Sequence, residues 1–288
     1  MKIKDMFGED NNVFSFEVFP PKKDSSIETI FDTLEQLTDL KPDFISVTYG
    51  AGGNTADTKT CDIASIIKNK HHIESAAHLT CVNSSRESVQ TILGQFRDNN
   101  IENILALRGD INPDVEPKKE FRYASDLILF IKEHGDFGIS GACYPECHAE
   151  AADIVEDILN LKKKTDAGAG HLISQLFFDN EVFYSFLEKI KLAGINVPVE
   201  AGIMPVCNVA QIKRMVTMCG ASIPAKLSRM MQQYGEHADS MREAGIEYAT
   251  NQIIELLNHG VRGIHLYTMN NAYVARTIWK NISPYLKR

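Results

Sequence analysis

Eight short runs rich in β-branched and aromatic residues alternate with amphipathic helical stretches, and this alternation limits the possible folds more than any other feature. The runs are Val13 to Phe19, Asp43 to Gly50, Glu74 to Cys81, Asn103 to Asp110, Phe137 to Tyr144, His171 to Asp179, Val197 to Val206 and Gly263 to Asn270. Between them Ile27, Ile30, Phe31, Leu34 and Leu37 recur at helical spacing. So do Val89, Ile92, Leu93 and Phe96, and Ile154, Val155, Ile158 and Leu159. Ser25 or Ser26 can cap the first helix and Asn208 a later one, while Gly135 and Gly194 sit where helices should stop. The long gap after Val206 holds more than one helix and contains Pro224. Strand and helix in alternation imply parallel strands joined by right-handed crossovers. Eight repeats within 288 residues fit an α/β fold of the (β/α)8 TIM-barrel type, which typically needs about 250 residues. A doubly wound sheet is the alternative. It calls for a GxGxxG turn after the first strand, whereas the glycine-rich stretch Gly50 to Thr55 follows the second run with a different spacing. No Pro/Gly/Ser-rich linker divides the chain, so one domain over residues 1–288 is expected.

Charge and cysteine content narrow the function. Lys plus Arg is 30 and Asp plus Glu is 38, a net charge of −8, with no basic run longer than three. Such a chain is poorly suited to non-specific nucleic-acid binding. No stretch approaches the roughly 18 unbroken apolar residues of a membrane span, and the first residues lack a signal-peptide core. A cytoplasmic location is expected. The six cysteines include no CxxC pair and read as reduced thiols. Cys143 and Cys147 could form half a metal site, or be no more than small apolar side chains. No HExxH or other histidine–carboxylate cluster asks for a metal.

A barrel enzyme works at the C-terminal ends of its strands, and there the runs become polar. The first carries Glu17, the second Thr48 and Tyr49, the third His78 and Thr80. The fourth ends in Arg108, Gly109 and Asp110, and the fifth leads to Tyr144, Glu146 and His148. The sixth carries Gln175 and Asp179, the eighth Tyr267 and Asn270. Alternation puts Ser15 and Glu17 on one face, Ala76, His78 and Thr80 on one face, and Ile104, Ala106, Arg108 and Asp110 on one face. The small and polar sets are expected to point into the barrel. Glu17, a carboxylate in an apolar strand, is either a general acid or half of a structural salt bridge. Arg108 and Asp110 are either an ion pair or an anion holder beside a reactive carboxylate. His78 is either a satisfied core histidine or a ligand contact. Lys162 to Lys164 are either a solvated face or phosphate ligands. Phe121 and Tyr123 are expected to pack. A lyase working through a Schiff base needs an inward lysine at a strand end, and the eight runs show none. A non-catalytic binding barrel would not need Glu17 and Asp110 together.

The ordered motifs SFEVFPP (15–21), ISVTYGAGG (45–53), AHLTC (77–81), ILALRGD (104–110), ACYPECH (142–148), LNLKKKTDAGA (159–169), ISQLFFD (173–179), AGIMPV (201–206) and HLYTMN (265–270) resemble the methylenetetrahydrofolate reductase family. The resemblance implies an FAD-binding barrel of the single-domain bacterial type, without a regulatory domain. It implies reduction of 5,10-methylenetetrahydrofolate to 5-methyltetrahydrofolate, with hydride passed from NADH, NADPH or a partner protein through FAD in ping-pong order. By the same resemblance Glu17 is the acid and Asp110 the carboxylate near the flavin. FAD contacts fall on Thr48, His78, Arg108, Gly109, Asp110, Tyr144, His148, Asp157, Asn160, Lys163 and Lys164, and folate contacts on Glu17, Asp110, Gln175 and Gln211. The family is commonly a homo-oligomer. Asn271 stands where many members carry an arginine, and Met215 where bacterial members often carry a phenylalanine.

Overall fold

The computed structural model describes residues 1–8, 11–21, 28–49, 58–111 and 118–287. Eight parallel strands close in chain order: β1 (Val13–Val18), β2 (Phe44–Val47), β3 (Glu74–Thr80), β4 (Asn103–Leu107), β5 (Gly138–Cys143), β6 (His171–Ser174), β7 (Val199–Ile203) and β8 (Gly263–Tyr267). The final pairing sets Ser15 opposite His265 and Glu17 opposite Tyr267. Around the barrel run α1 (Glu28–Thr38), α2 (Thr58–Asn69), α3 (Arg86–Asp98), α4 (Ala124–His134) and α5 (Ile154–Ala167). They are followed by α6 (Asn180–Leu192), α7 (Val209–Cys219), α8 (Ala225–Tyr234), α9 (Ala238–Asn258) and α10 (Ala272–Ile282). The TIM barrel expected from the alternation is the fold. Each expected run forms a strand, shorter than the run itself because the polar residues beyond it turn into loops at the mouth.

Alternation splits the core in two. Phe14, Phe16 and Val18 face the helices and belong to the outer core cluster, which also holds Ile30, Leu34 and Leu37 of α1 and Val89, Leu93 and Phe96 of α3. Inside the barrel, Val13, Phe44, Ala76, Leu105 and Ile173 form a separate cluster with Ile3, which lies in a 3-10 turn (Ile3–Met6). The lower lumen is thus filled with large apolar side chains, as close packing demands. This corrects the assignment of β4. Ile104 and Ala106 lie on the helix side, and Leu105 and Leu107 join the lumen cluster. Arg108 stands past the end of the strand, where its alternation no longer applies.

Asn208 caps α7 by accepting from Gln211 N at 2.9 Å, and α4 and α6 end at Gly135 and just before Gly194. Ser25, Ser26, Ile27 and the glycine-rich stretch 50–55 lie outside the described residues. The α5 stripe differs from expectation. Val155 and Leu159 are exposed, and α5 instead buries Asp157, Ile158 and Leu161. Its buried face has turned toward the loop after β5, where Asp157 accepts from His148 N at 3.0 Å.

Gly202 on β7 has no room for a side chain, because a Cβ there would lie 2.2 Å from Ser174 O and 2.7 Å from the Tyr267 hydroxyl. Gly94, inside α3, has nothing within 4 Å of that position. In urea unfolding, Gly202→Ala should therefore cost about 1–3 kcal/mol through overpacking. Gly94→Ala should stabilise by about 0.5–1 kcal/mol through helix propensity. Equal effects would contradict the close approach at Gly202.

Candidate active site

Glu17 lies on the inward face of β1 near the top of the barrel, with its side chain one-fifth exposed. Its Oε2 is 3.6 Å from His78 Nε2 and 3.6 Å from His265 Nε2. The turn after β8 holds the backbone of this strand. Thr268 Oγ1 donates to Glu17 O at 2.6 Å. Asn270, at φ 54°, accepts from Phe19 N at 3.1 Å and donates to Phe19 O at 2.8 Å. The acid is therefore set by the seam between the first and last strands. Tyr267 stands beside it with its hydroxyl donating to Ser174 O at 2.7 Å, and burial with Glu17 nearby pushes that phenol well above its ordinary range.

Below Glu17 the lumen holds a chain of polar side chains that the sequence reading did not single out. Ser15 Oγ donates to Glu200 Oε1 at 2.8 Å and lies 2.6 Å from His265 Nδ1. His171 Nε2 is 3.3 Å from Glu200 Oε2, and its Nδ1 is 2.9 Å from Ser140 Oγ. Glu200, His171 and His265 are fully buried.

A second feature lies at the same pole, between β4, β5, α4 and α5. It is a cleft of about 380 Å³ lined by Arg108, Tyr144, His148, Asp157, Asn160, Lys163 and Lys164 together with Tyr123, Ala124 and Glu150. Lys164 is half-buried. Its ammonium donates to Ala142 O at 2.6 Å and lies over the Tyr144 ring at 5.7 Å, and no carboxylate among the described residues forms an ion pair with it. Burial lowers its pKa, against the pull of Cys143 and Asp157. Burial raises the Asp157 carboxyl and the Tyr144 phenol and pushes the Cys143 thiol to about 12. Arg108 forks onto Glu150, with Nη2 to Oε1 at 2.6 Å. Gly109 follows at φ 85°, and a Cβ there would meet Thr80 Cβ at 2.9 Å, so glycine suits this turn. Tyr123, expected to pack, is half exposed and lines the cleft, whereas Phe121 is buried as expected.

The remaining expected positions fall around the mouth. Thr48 N donates to Val18 O at 3.0 Å, and Asp110 is exposed beyond β4, close enough to act on Arg108 and Tyr144. Gln175 follows β6, and its side chain accepts from Leu176 N at 2.9 Å. Gln211 is in the first turn of α7, and Met215 packs one turn later in a cluster with Leu176, Phe178, Met204 and Tyr267. Asp179 is a helix cap, accepting from Glu181 N at 3.1 Å. Asn271 also caps, accepting from Val274 N at 3.2 Å at the start of α10, which an arginine could not do. Glu17 and the cleft thus share one pole of the barrel, with Asp110 on the β4 side.

The family model described as Methylenetetrahydrofolate reductase matches residues 2–283. The 5,10-methylenetetrahydrofolate reductase of Escherichia coli (strain K12) is 39% identical over 264 residues, covering 92% of this chain and 88% of that one. The protein of Arabidopsis thaliana named Methylenetetrahydrofolate reductase (NADH) 1 is 38% identical, covering 93% of this chain and 48% of its own length. A solved structure titled as an uncharacterized protein from Clostridium thermocellum that binds two copies of 5-methyl-5,6,7,8-tetrahydrofolic acid superposes with a TM-score of 0.66. It covers 95% of this chain and 96% of its own at 14% identity, a likeness of fold.

Burial lowers His78 to about 4, with His265 adding to the effect and Glu17 opposing it. The unfolded chain, with an ordinary histidine near 6.5, binds a proton there first. Stability present above about pH 6.5 should therefore be lost as pH falls toward 4, by about 3 kcal/mol. Urea midpoints between those values should fall less steeply for His78→Asn than for the native chain; identical slopes would contradict a neutral buried His78.

Proposed function

This chain belongs to the methylenetetrahydrofolate reductase family, and from that premise we propose how its barrel mouth carries out the reduction of 5,10-methylenetetrahydrofolate to 5-methyltetrahydrofolate. The observation that carries the reading is the shared pole: a carboxylic side chain at the top of the lumen and, in the wall beside it, a cleft that brings Arg108, Lys163 and Lys164 together.

Glu17 is the general acid. It gives its proton to the folate nitrogen that leaves when the five-membered ring opens, a step worth about 10²–10⁴-fold. The clamp of Thr268 and Asn270 on β1 fixes its direction. Asp110, exposed at the mouth, lends negative charge to the cation formed on ring opening. Gln175 and Gln211 bind folate from the β6 and α7 side, where Met215 forms part of the apolar wall. Asn271 is committed to capping and leaves the folate tail to other groups.

The cleft fits FAD by its donor set. Lys164 is a half-buried cation without an ionic partner among the described residues, and Arg108 and Lys163 stand beside it, as a diphosphate requires. His148, Asp157, Asn160 and Tyr144 line the same space, and Thr48, His78, Gly109 and Asp110, outside the cleft at strand ends, complete the set implied by the family resemblance. Tyr123 and Ala124 join this set on the strength of the cleft. When bound, FAD supplies the hydride relay between a donor such as NADH or NADPH and the folate. Glu150, now on Arg108, is the group a diphosphate would displace.

The reading extends to one catalytic unit over residues 1–288, a homo-oligomer in the cytoplasm, and an electron-donor partner as the alternative to NADH or NADPH. Among the described residues no helix is long and apolar enough to cross a membrane.

Glu17→Gln should still accept hydride from NADH or NADPH in anaerobic stopped flow, yet lose folate reduction by at least about 10²-fold. Normal folate turnover in that variant would refute the acid assignment. Lys164→Ala should weaken FAD binding by about tenfold or more in flavin-fluorescence titration of the apoprotein. Undiminished affinity would place the diphosphate elsewhere.

A further inference from the structure

Glu200 takes no part in the reaction as described, yet it is fully buried among the polar side chains of the lumen, accepting from Ser15 at 2.8 Å with its Oε2 3.3 Å from His171 Nε2. We propose that Glu200 is a positioning residue: it fixes which ring nitrogen of His265 carries the proton, and so keeps Glu17 able to hold the proton it delivers. The proposal rests on Glu17 being the acid.

An ionised carboxylate only accepts hydrogen bonds. Ser15 has one proton, and 2.8 Å from Glu200 Oε1 it spends that proton there. Its lone pairs then face His265 Nδ1 at 2.6 Å, so Nδ1 must be the protonated nitrogen. In a neutral imidazole the other nitrogen is bare. That bare Nε2 faces Glu17 Oε2 at 3.6 Å and Ser46 Oγ at 3.5 Å. Ser46 is the hydrogen-bond partner of Nε2, and Glu17, just beyond hydrogen-bond reach, meets the unprotonated edge of the ring, which disfavours its ionised form. On the far side, Ser140 at 2.9 Å can donate to His171 Nδ1, and His171 Nε2 lies 3.3 Å from Glu200 Oε2 without a hydrogen bond between them.

The other groups around Glu17 do not reverse this. His78 from β3 is kept neutral by burial, and Tyr267 from β8 spends its hydroxyl proton on Ser174 O. A glutamine at position 200 can donate to Ser15, whose proton then turns to His265 Nδ1. The imidazole proton moves to Nε2, and ionised Glu17 gains a donor.

The test follows folate reduction by the reduced holoenzyme with 5,10-methylenetetrahydrofolate from about pH 5.5 to 9. In Glu200→Gln the alkaline limb should move down by about one pH unit, a loss of about tenfold at the alkaline end, with the acid plateau within about threefold of native. Hydride uptake from NADH or NADPH should keep its native pH dependence. Nitrogen NMR of histidine-labelled protein, with His265 assigned by its disappearance in His265→Gln, should show the proton moving from Nδ1 to Nε2. A loss uniform with pH, or an unchanged His265 tautomer, overturns the proposal. Ser15→Ala keeps the carboxylate but cuts the link. It should give the same shift, and it decides the question if Glu200→Gln does not fold; a native profile in it overturns the proposal. The NMR result is independent of Glu17, so failure of the acid assignment in Glu17→Gln is distinguishable from failure here.

Discussion

Closure of β1 onto β8 is the constraint on which the rest depends. A parallel strand left at an edge would expose a row of unpaired backbone groups, and a closed cylinder has no edge. Closure also creates a lumen that water does not fill, and whatever points into it must be apolar or hydrogen-bonded. The lower half meets this demand with Val13, Phe44, Leu105 and Ile173, and the upper half with paired serines, histidines and glutamates. The same seam carries Glu17 opposite Tyr267 and is tied by Asn270 and Thr268. The contact that completes the fold also aims the acid.

Much of this was readable from residue order. Alternating strand and helix runs sufficed for the barrel, because each run is a local pattern repeated eight times. Glu17 stood out because a carboxylate in an apolar strand is costly wherever the strand goes. Its histidine neighbours were less visible. His78 could be placed on an inward face, but its distance from Glu17 depends on how β3 and β1 are arranged around the cylinder. Glu200 and His171 were invisible as a pair, since their partners come from β1, β5 and β8 and no spacing in the chain links them.

The misreading of β4 came from carrying the rule of alternation past the end of the strand. The rule governs β4 up to Leu107, so Ile104 and Ala106 belong to the helix side and Arg108 is freed to enter the wall cleft. On α5 an apolar stripe was read from Ile154, Val155, Ile158 and Leu159, of which Ile158 is buried and Val155 and Leu159 are exposed. The helix instead buries the side that carries Asp157, because that carboxylate has a backbone donor to satisfy in the loop beside it. Tyr123 looked like packing because an aromatic residue before a helix carries no mark of which side it will face.

The wall cleft and the lumen chain share no side chain. Arg108, Lys163, Lys164 and Asp157 lie between strands and helices, whereas Ser15, His171, Glu200 and His265 lie inside the cylinder. The strands stand between them as a partition. Drift in the outer set alters grip without disturbing proton traffic, and drift in the inner set does the reverse. A protein partitioned in this way can adapt to a new ambient acidity and to a new ligand in its wall by separate routes.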